Sequence, residues 1–327
     1  MGADHPKFDP LNPSGFKPGD KIPLDLLNSR MGPKREPVKK ETFVAIETLH
    51  KAVEEFAAKT NQMAERFGIT GLLEKDGTIA MEAYSQEKDG PYTAAEIALD
   101  KQKAYEKELE FAGALYESDP EVQRQMVLNL EKEKSRQIGT KAELMITIIL
   151  HRLLGDDFII ARTAKIDDYK KGVDYLVINP ATGETICAFD GVIENESKDG
   201  QFVIKNTQKK MEVAKSITQT GGANLRYGIE SKNGKLVRTP LANMPVFYLS
   251  ISDKDLDLLA LSKETGPDAP ITEGEVKIFS QFIASLEKQV GDLLALDIKR
   301  GEPVREKILD FDQTIEMLRN VLRRKSS

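Results

Sequence analysis

Cysteine, histidine and tryptophan are scarce in this chain, and each shortage removes a class of chemistry. A single cysteine, Cys187, stands among 327 residues, inside an apolar run. A disulfide framework and a cysteine-ligated zinc site are excluded, and a reducing compartment fits. The three histidines, His5, His50 and His151, lie far apart, show no metal-binding spacing and serve no Ser-His-Asp constellation. No G-x-x-x-x-G-K-[ST] loop occurs, which argues against a nucleotide-driven motor. Apolar runs are short, and Leu144 to Leu150 falls far below membrane-spanning length. The N-terminus lacks a basic-then-apolar signal pattern, so a cytoplasmic protein with no membrane partner is expected. Tryptophan is absent and aromatics make up 6 %, against 31 % charged residues, a balance that favours a helix-rich soluble protein.

What is present centres on residues 172–193. Val173, Tyr175, Val177 and Ile178 are β-branched or aromatic and read as a strand. Asn179-Pro180-Ala181-Thr182-Gly183 supplies turn chemistry, and Thr185 to Ile193 reads as the return strand. Each strand carries one carboxylate in an apolar setting, Asp174 and Asp190. With the turn centred near Ala181 or Thr182 the two face each other on strands about 4.8 Å apart. Burying two like charges uncompensated is costly, and a divalent cation is one economical explanation. A pair left in solvent at a sheet edge is the plain alternative.

Net charge is −6, but it is unevenly spread. Residues 41–138 carry a balance of −8. Residues 198–238 carry +6, from Lys198, Lys205, Lys209, Lys210, Lys215, Arg226, Lys232, Lys235 and Arg238 against three acidic residues. Beside the carboxylate hairpin, such a segment suits a phosphate backbone, and DNA is the expected partner. A solvated helix face and hairpin would have the same composition.

Residues 1–40 hold seven prolines and four glycines and read as a disordered or loosely docked arm. In 41–138 a helical region is expected. Ile46, Leu49, Val53, Phe56, Thr60, Met63 and Phe67 form a heptad seam. A second helix over 93–117 shows Tyr105, Leu109, Ala112 and Tyr116 on one stripe, and Asp119-Pro120 opens a third. Ala142 to Leu154 reads as a helix buried on more than one face, with Glu143 its exception. Strands are expected near 158–163, 172–178, 185–193 and 245–251, with a loop over 165–171 and a helix over 205–218. Asn233-Gly234 marks a hairpin turn. Residues 253–327 form a C-terminal helical region with a heptad-like stripe from Val304 to Leu322. Both seams are expected to pack on the 93–138 helices, with a homodimer or a helical protein partner as the coiled-coil alternative.

The order helix, three strands, helix, strand over residues 139–252 resembles the PD-(D/E)XK nuclease superfamily. So does its set of acids, Glu143 on the first helix and Asp174 and Asp190 on the second and third strands. The resemblance covers about a third of the chain. It implies an α+β fold with a restriction-endonuclease-like core and long helical additions at both ends. It implies hydrolysis of DNA phosphodiester bonds with Mg²⁺ or Mn²⁺ held by Glu143, Asp174 and Asp190. The family lysine is expected two residues after the second acid, where this chain has Val192. Lys210 or Lys209 of the following helix can supply it, Lys210 bordering the stripe of Ala214 and Ile217. Glu196-Ser197-Lys198 is a second source, and a retained fold with lost catalysis is a third outcome. Each residue also has a plain role: Glu143 can pair with Lys141 or Arg162, Asp174 can end a strand, and Asp190 before Gly191 can mark a bulge. A binding module that does not cut, and a helical scaffold, are the competing functions.

Overall fold

The computed structural model describes residues 46–86, 90–134, 138–194, 201–260, 266–296 and 302–326. The proline-rich arm, Lys198 and the Glu196-Ser197-Lys198 alternative lie outside the described residues. Ten helices and six strands are described. They run α1 (Ile46–Arg66), α2 (Ala83–Gln86), α3 (Ala94–Phe111), α4 (Pro120–Lys134), α5 (Ile138–Leu154), β1 (Ile159–Arg162), α6 (Lys165–Lys171), β2 (Tyr175–Ile178) and β3 (Thr185–Glu194). They continue with α7 (Gln201–Gln219), β4 (Ala223–Lys232), β5 (Lys235–Met244), β6 (Val246–Ser252), α8 (Asp253–Ala260), α9 (Glu273–Leu294) and α10 (Glu302–Ser326). The fold is α+β.

A four-stranded mixed sheet in the order β1-β2-β3-β6 forms its centre. The first three strands pair antiparallel, and β6 runs parallel to β3. A parallel return needs a crossover, here α7 followed by the separate β4-β5 hairpin. Asn233 and Gly234, both at positive φ, close that hairpin as their sequence demands.

Alternation along the strands gives the sheet two apolar faces. Ile160, Tyr175, Val177, Cys187, Phe189, Phe247, Leu249 and Ile251 share one core with α1, α5, α9 and α10. Ile159, Ala161, Leu176, Ile178, Ala188 and Val246 share another with β4, β5 and residues 69–81. Two capping boxes start helices cleanly, Thr93 with Glu96 on α3 and Thr272 with Glu275 on α9. Glu275 also takes the buried Arg152 of α5 at 2.7 Å, tying α9 to α5.

Four local expectations need correction. Residues 165–171 are helical, not a loop: two aspartates lie in the first turn, two lysines in the last, and Gly172 closes the helix in the left-handed region. The second helix stops at Phe111, and Tyr116 is 96 % exposed. Its buried face runs through Ile97, Asp100, Ala104 and Leu109, so of the expected stripe Leu109 is buried, and the polar Asp100 hides the rest from an apolar count. The seam of α1 packs on α5 and β1, and that of α10 on α9, α5 and β3, rather than on the 93–138 helices. Leu49, Val53, Phe56, Val304, Ile308, Phe311, Ile315 and Leu318 are thereby buried within one chain. Among the described residues no helix is long and apolar enough to cross a membrane.

Candidate active site

Register decides the central question of the hairpin. The register ends with Tyr175 opposite Phe189; Asp174 and Asp190 are the next residues along, and their side chains are hydrogen-bonded to each other. Asp174 lies just ahead of the assigned β2, but its N–H donates to the Phe189 carbonyl at 2.7 Å and its carbonyl accepts from Thr163 N–H at 2.9 Å. It is thus held on both sides like a strand residue. Its Oδ2 accepts from the Gly191 N–H at 2.6 Å. A side chain at Gly191 would have its Cβ 3.2 Å from that oxygen.

Burial pushes the Asp174 carboxyl well above the usual carboxylate range, and the charges of Asp168 and Asp190 push it further, against the Gly191 hydrogen bond. Burial raises Asp190 too; the Lys210 charge and hydrogen bond, and a hydrogen bond with Asp174, hold it back. Asp190 is 8 % exposed. The lysine comes from α7: Lys210 Nζ donates to Asp190 Oδ2. Val192, at the position expected for the family lysine, is instead buried with Met211 and Tyr248.

Asp190 opens on a cleft of about 610 Å³, lined on its polar side also by Lys171, Gly172, Lys209 and Lys210. Lys209 is exposed at its edge. No family model, curated protein or solved structure matches this chain.

Glu143 pairs with Arg162, and its charge reaches Asp174. It belongs to α5, on the face of the sheet that carries Tyr175 and Phe189, whereas Asp190 alternates with Phe189 and faces the other way. Its carboxylate is 3.6 Å from Arg162 Nη2 and its backbone carbonyl accepts the Tyr175 hydroxyl at 2.8 Å. Its charge raises the Asp174 carboxyl less than those of Asp168 and Asp190 do. Among the described residues no three His, Cys, Asp or Glu side chains converge to hold a metal ion. Glu143, Asp174 and Asp190 do not form such a group.

The basic segment is also divided. Arg226 Nε lies 2.6 Å from the buried Asp100 carboxylate and its guanidinium stacks 4.3 Å over Tyr92. Arg238 is 6 % exposed and donates to the carbonyls of Thr70 and Gly71. These two arginines hold the β4-β5 hairpin to the body. Lys232 and Lys235 are exposed beside the hairpin turn, Lys215 is half-buried on α7, and Lys205 lies nearer the start of that helix. The two residues overlooked from sequence are Asp168, whose charge reaches Asp174, and Lys171, on the cleft. Both belong to α6, and the acid-first, lysine-last pattern before Gly172 was the signal for it.

Proposed function

We propose that this chain hydrolyses phosphodiester bonds of DNA, with Asp174, Asp190 and Lys210 as its catalytic centre and Mg²⁺ or Mn²⁺ as its cofactor. One observation carries the reading: a lysine from the following helix meets the second of two neighbouring, hydrogen-bonded carboxylates. With the short helix α6 and the β4-β5 hairpin taken as insertions, α5, β1, β2, β3, α7 and β6 follow the order helix, three strands, helix, strand, which supports a restriction-endonuclease-like core. The donor set fits the cation. Mg²⁺ keeps several waters and needs only one or two carboxylates besides substrate phosphate. Two crowded, desolvated acids whose charges disfavour each other are the sort of site a divalent ion relieves.

Asp174 and Asp190 would hold the ion. When bound, it supplies an acidified water and neutralises charge on the phosphoryl group. Gly191 N–H fixes the rotamer of Asp174, so that carboxylate is positioned before any ligand arrives. The Lys210 side chain is 38 % exposed, so its ammonium can turn from Asp190 to a phosphate oxygen and stabilise the negative charge that develops there.

The test is cleavage of DNA with Mg²⁺ or Mn²⁺ by the full chain and its variants. Asp190→Asn should abolish cleavage and also remove the rise in melting temperature that Mg²⁺ produces in the parent. Lys210→Ala should lower turnover by about 10²–10³ while leaving that rise in place. Lys209→Ala identifies which helix lysine acts. DNA binding without cleavage under any divalent cation would favour the second reading, a nuclease-like binding module. The burial of Val192 with Met211 and Tyr248 is the observation on its side. Neither binding nor cleavage would leave the helical scaffold.

A further inference from the structure

The cleft changes character along its length. Lys210, Val213, Ala214 and Ile217 follow at steps of three and four, one face of α7. At 1.5 Å rise per residue, the cationic end and the apolar end lie about 10 Å apart. Val246 lies in the core against which Ile217 packs, while Tyr248 stands beside Asp190 and packs with Val192 and Met211. Val213 is 44 % exposed, an aliphatic side chain left at the cleft wall. The volume, about 610 Å³, falls within the range of small-ligand pockets, about 300–1,000 Å³. It has room for an unpaired nucleotide and none for a duplex.

The charge count points the same way. Among the described residues three cations line the cleft, Lys171, Lys209 and Lys210, and Lys210 already faces Asp190. Arg226 and Arg238 are engaged in holding the hairpin. Intact duplex is bound mainly through many phosphate contacts, which these residues do not offer. Apolar surface beside a few cations instead suits a base next to its own phosphate, as in single-strand binding. A paired base reaches such a wall only by leaving its stack, at a cost of a few kcal/mol.

We infer that the cleft takes an unpaired nucleotide, so that the substrate is single-stranded DNA or a frayed end rather than intact duplex. The inference rests on the nuclease reading above and narrows its substrate.

Anisotropy of a fluorescein-labelled oligonucleotide, single-stranded or annealed to its complement, tests it with the full chain in EDTA, alongside cleavage assays in Mg²⁺. Single strands should bind at least about tenfold tighter than duplex. With two or three phosphate contacts, log affinity should fall with log salt at a slope of only about −1.4 to −2.1. Val213→Asn should weaken single-strand binding several-fold and leave duplex binding and the melting temperature unchanged. Equal affinity for both forms, or a slope steeper than about −4, overturns the inference, and the nuclease reading survives if DNA is still cut. Single-strand preference without cleavage by any divalent cation instead removes the nuclease reading and keeps the ligand.

Discussion

The two faces of the central sheet use the same strands and arrive at opposite chemistry. On the face toward α5, α9 and α10, Phe189, Phe247 and Phe311 interlock, with Phe247 and Phe311 centroids 4.4 Å apart. On the other face, one residue along β3, Asp190 stands at a cleft with Lys210. A shift of one residue on a strand changes the face, so a single chain can carry a sealed core and a charged site back to back. The difference teaches where stability and function separate. The helical face holds the fold, and the α7 face tolerates two crowded carboxylates because the other side is so well filled.

Truncation of the sealed face should break the molecule first. Phe311→Ala should cost about 3–5 kcal/mol in denaturant unfolding, because it opens a cavity against two other rings. Glu275→Gln, at the buried pair with Arg152, should cost about 3–5 kcal/mol, since it leaves a buried guanidinium without its counter-charge. An unchanged unfolding midpoint for either would mean the helical face is not what holds the sheet.

On the opposite face the sign should reverse. The Asp174 carboxyl binds its proton more tightly folded than unfolded, its range raised by burial and then by Asp168 and Asp190. Its contribution is therefore most favourable at low pH and is lost as pH rises through the folded value. Asp174→Asn keeps an acceptor for the Gly191 N–H and removes the charge. It should melt higher than the parent at neutral pH, with the gap closing by about pH 4. A variant that melts lower across the whole range would show that the pair supports the fold. The smallest effect is expected at Lys209, exposed on the cleft edge: Lys209→Ala should stay within about 0.5 kcal/mol of the parent in unfolding while weakening nucleic-acid binding.

Much of this was legible along the chain. The four strands and the Asn233-Gly234 turn follow from period-two alternation and turn chemistry. The i, i+3, i+4 spacing from Lys210 to Ile217 set the lysine on the inward stripe of α7. Other parts were not legible. Residues 165–171 are too short for periodicity to outweigh their charge, although the order of those charges and Gly172 marked a helix. The heptad seams announced that they would be buried but not against which element, since an apolar stripe fits any apolar surface.

Local pattern alone determined which segments became helix or strand and which residues turned inward, because propensity, alternation and capping act between near neighbours. Only the tertiary structure decided which charges remained available for chemistry. Arg226 met Asp100 across 126 positions, Arg162 met Glu143, and Lys210 reached Asp190. A charge takes whichever partner the fold brings within a few ångströms, and sequence distance carries almost no information about that.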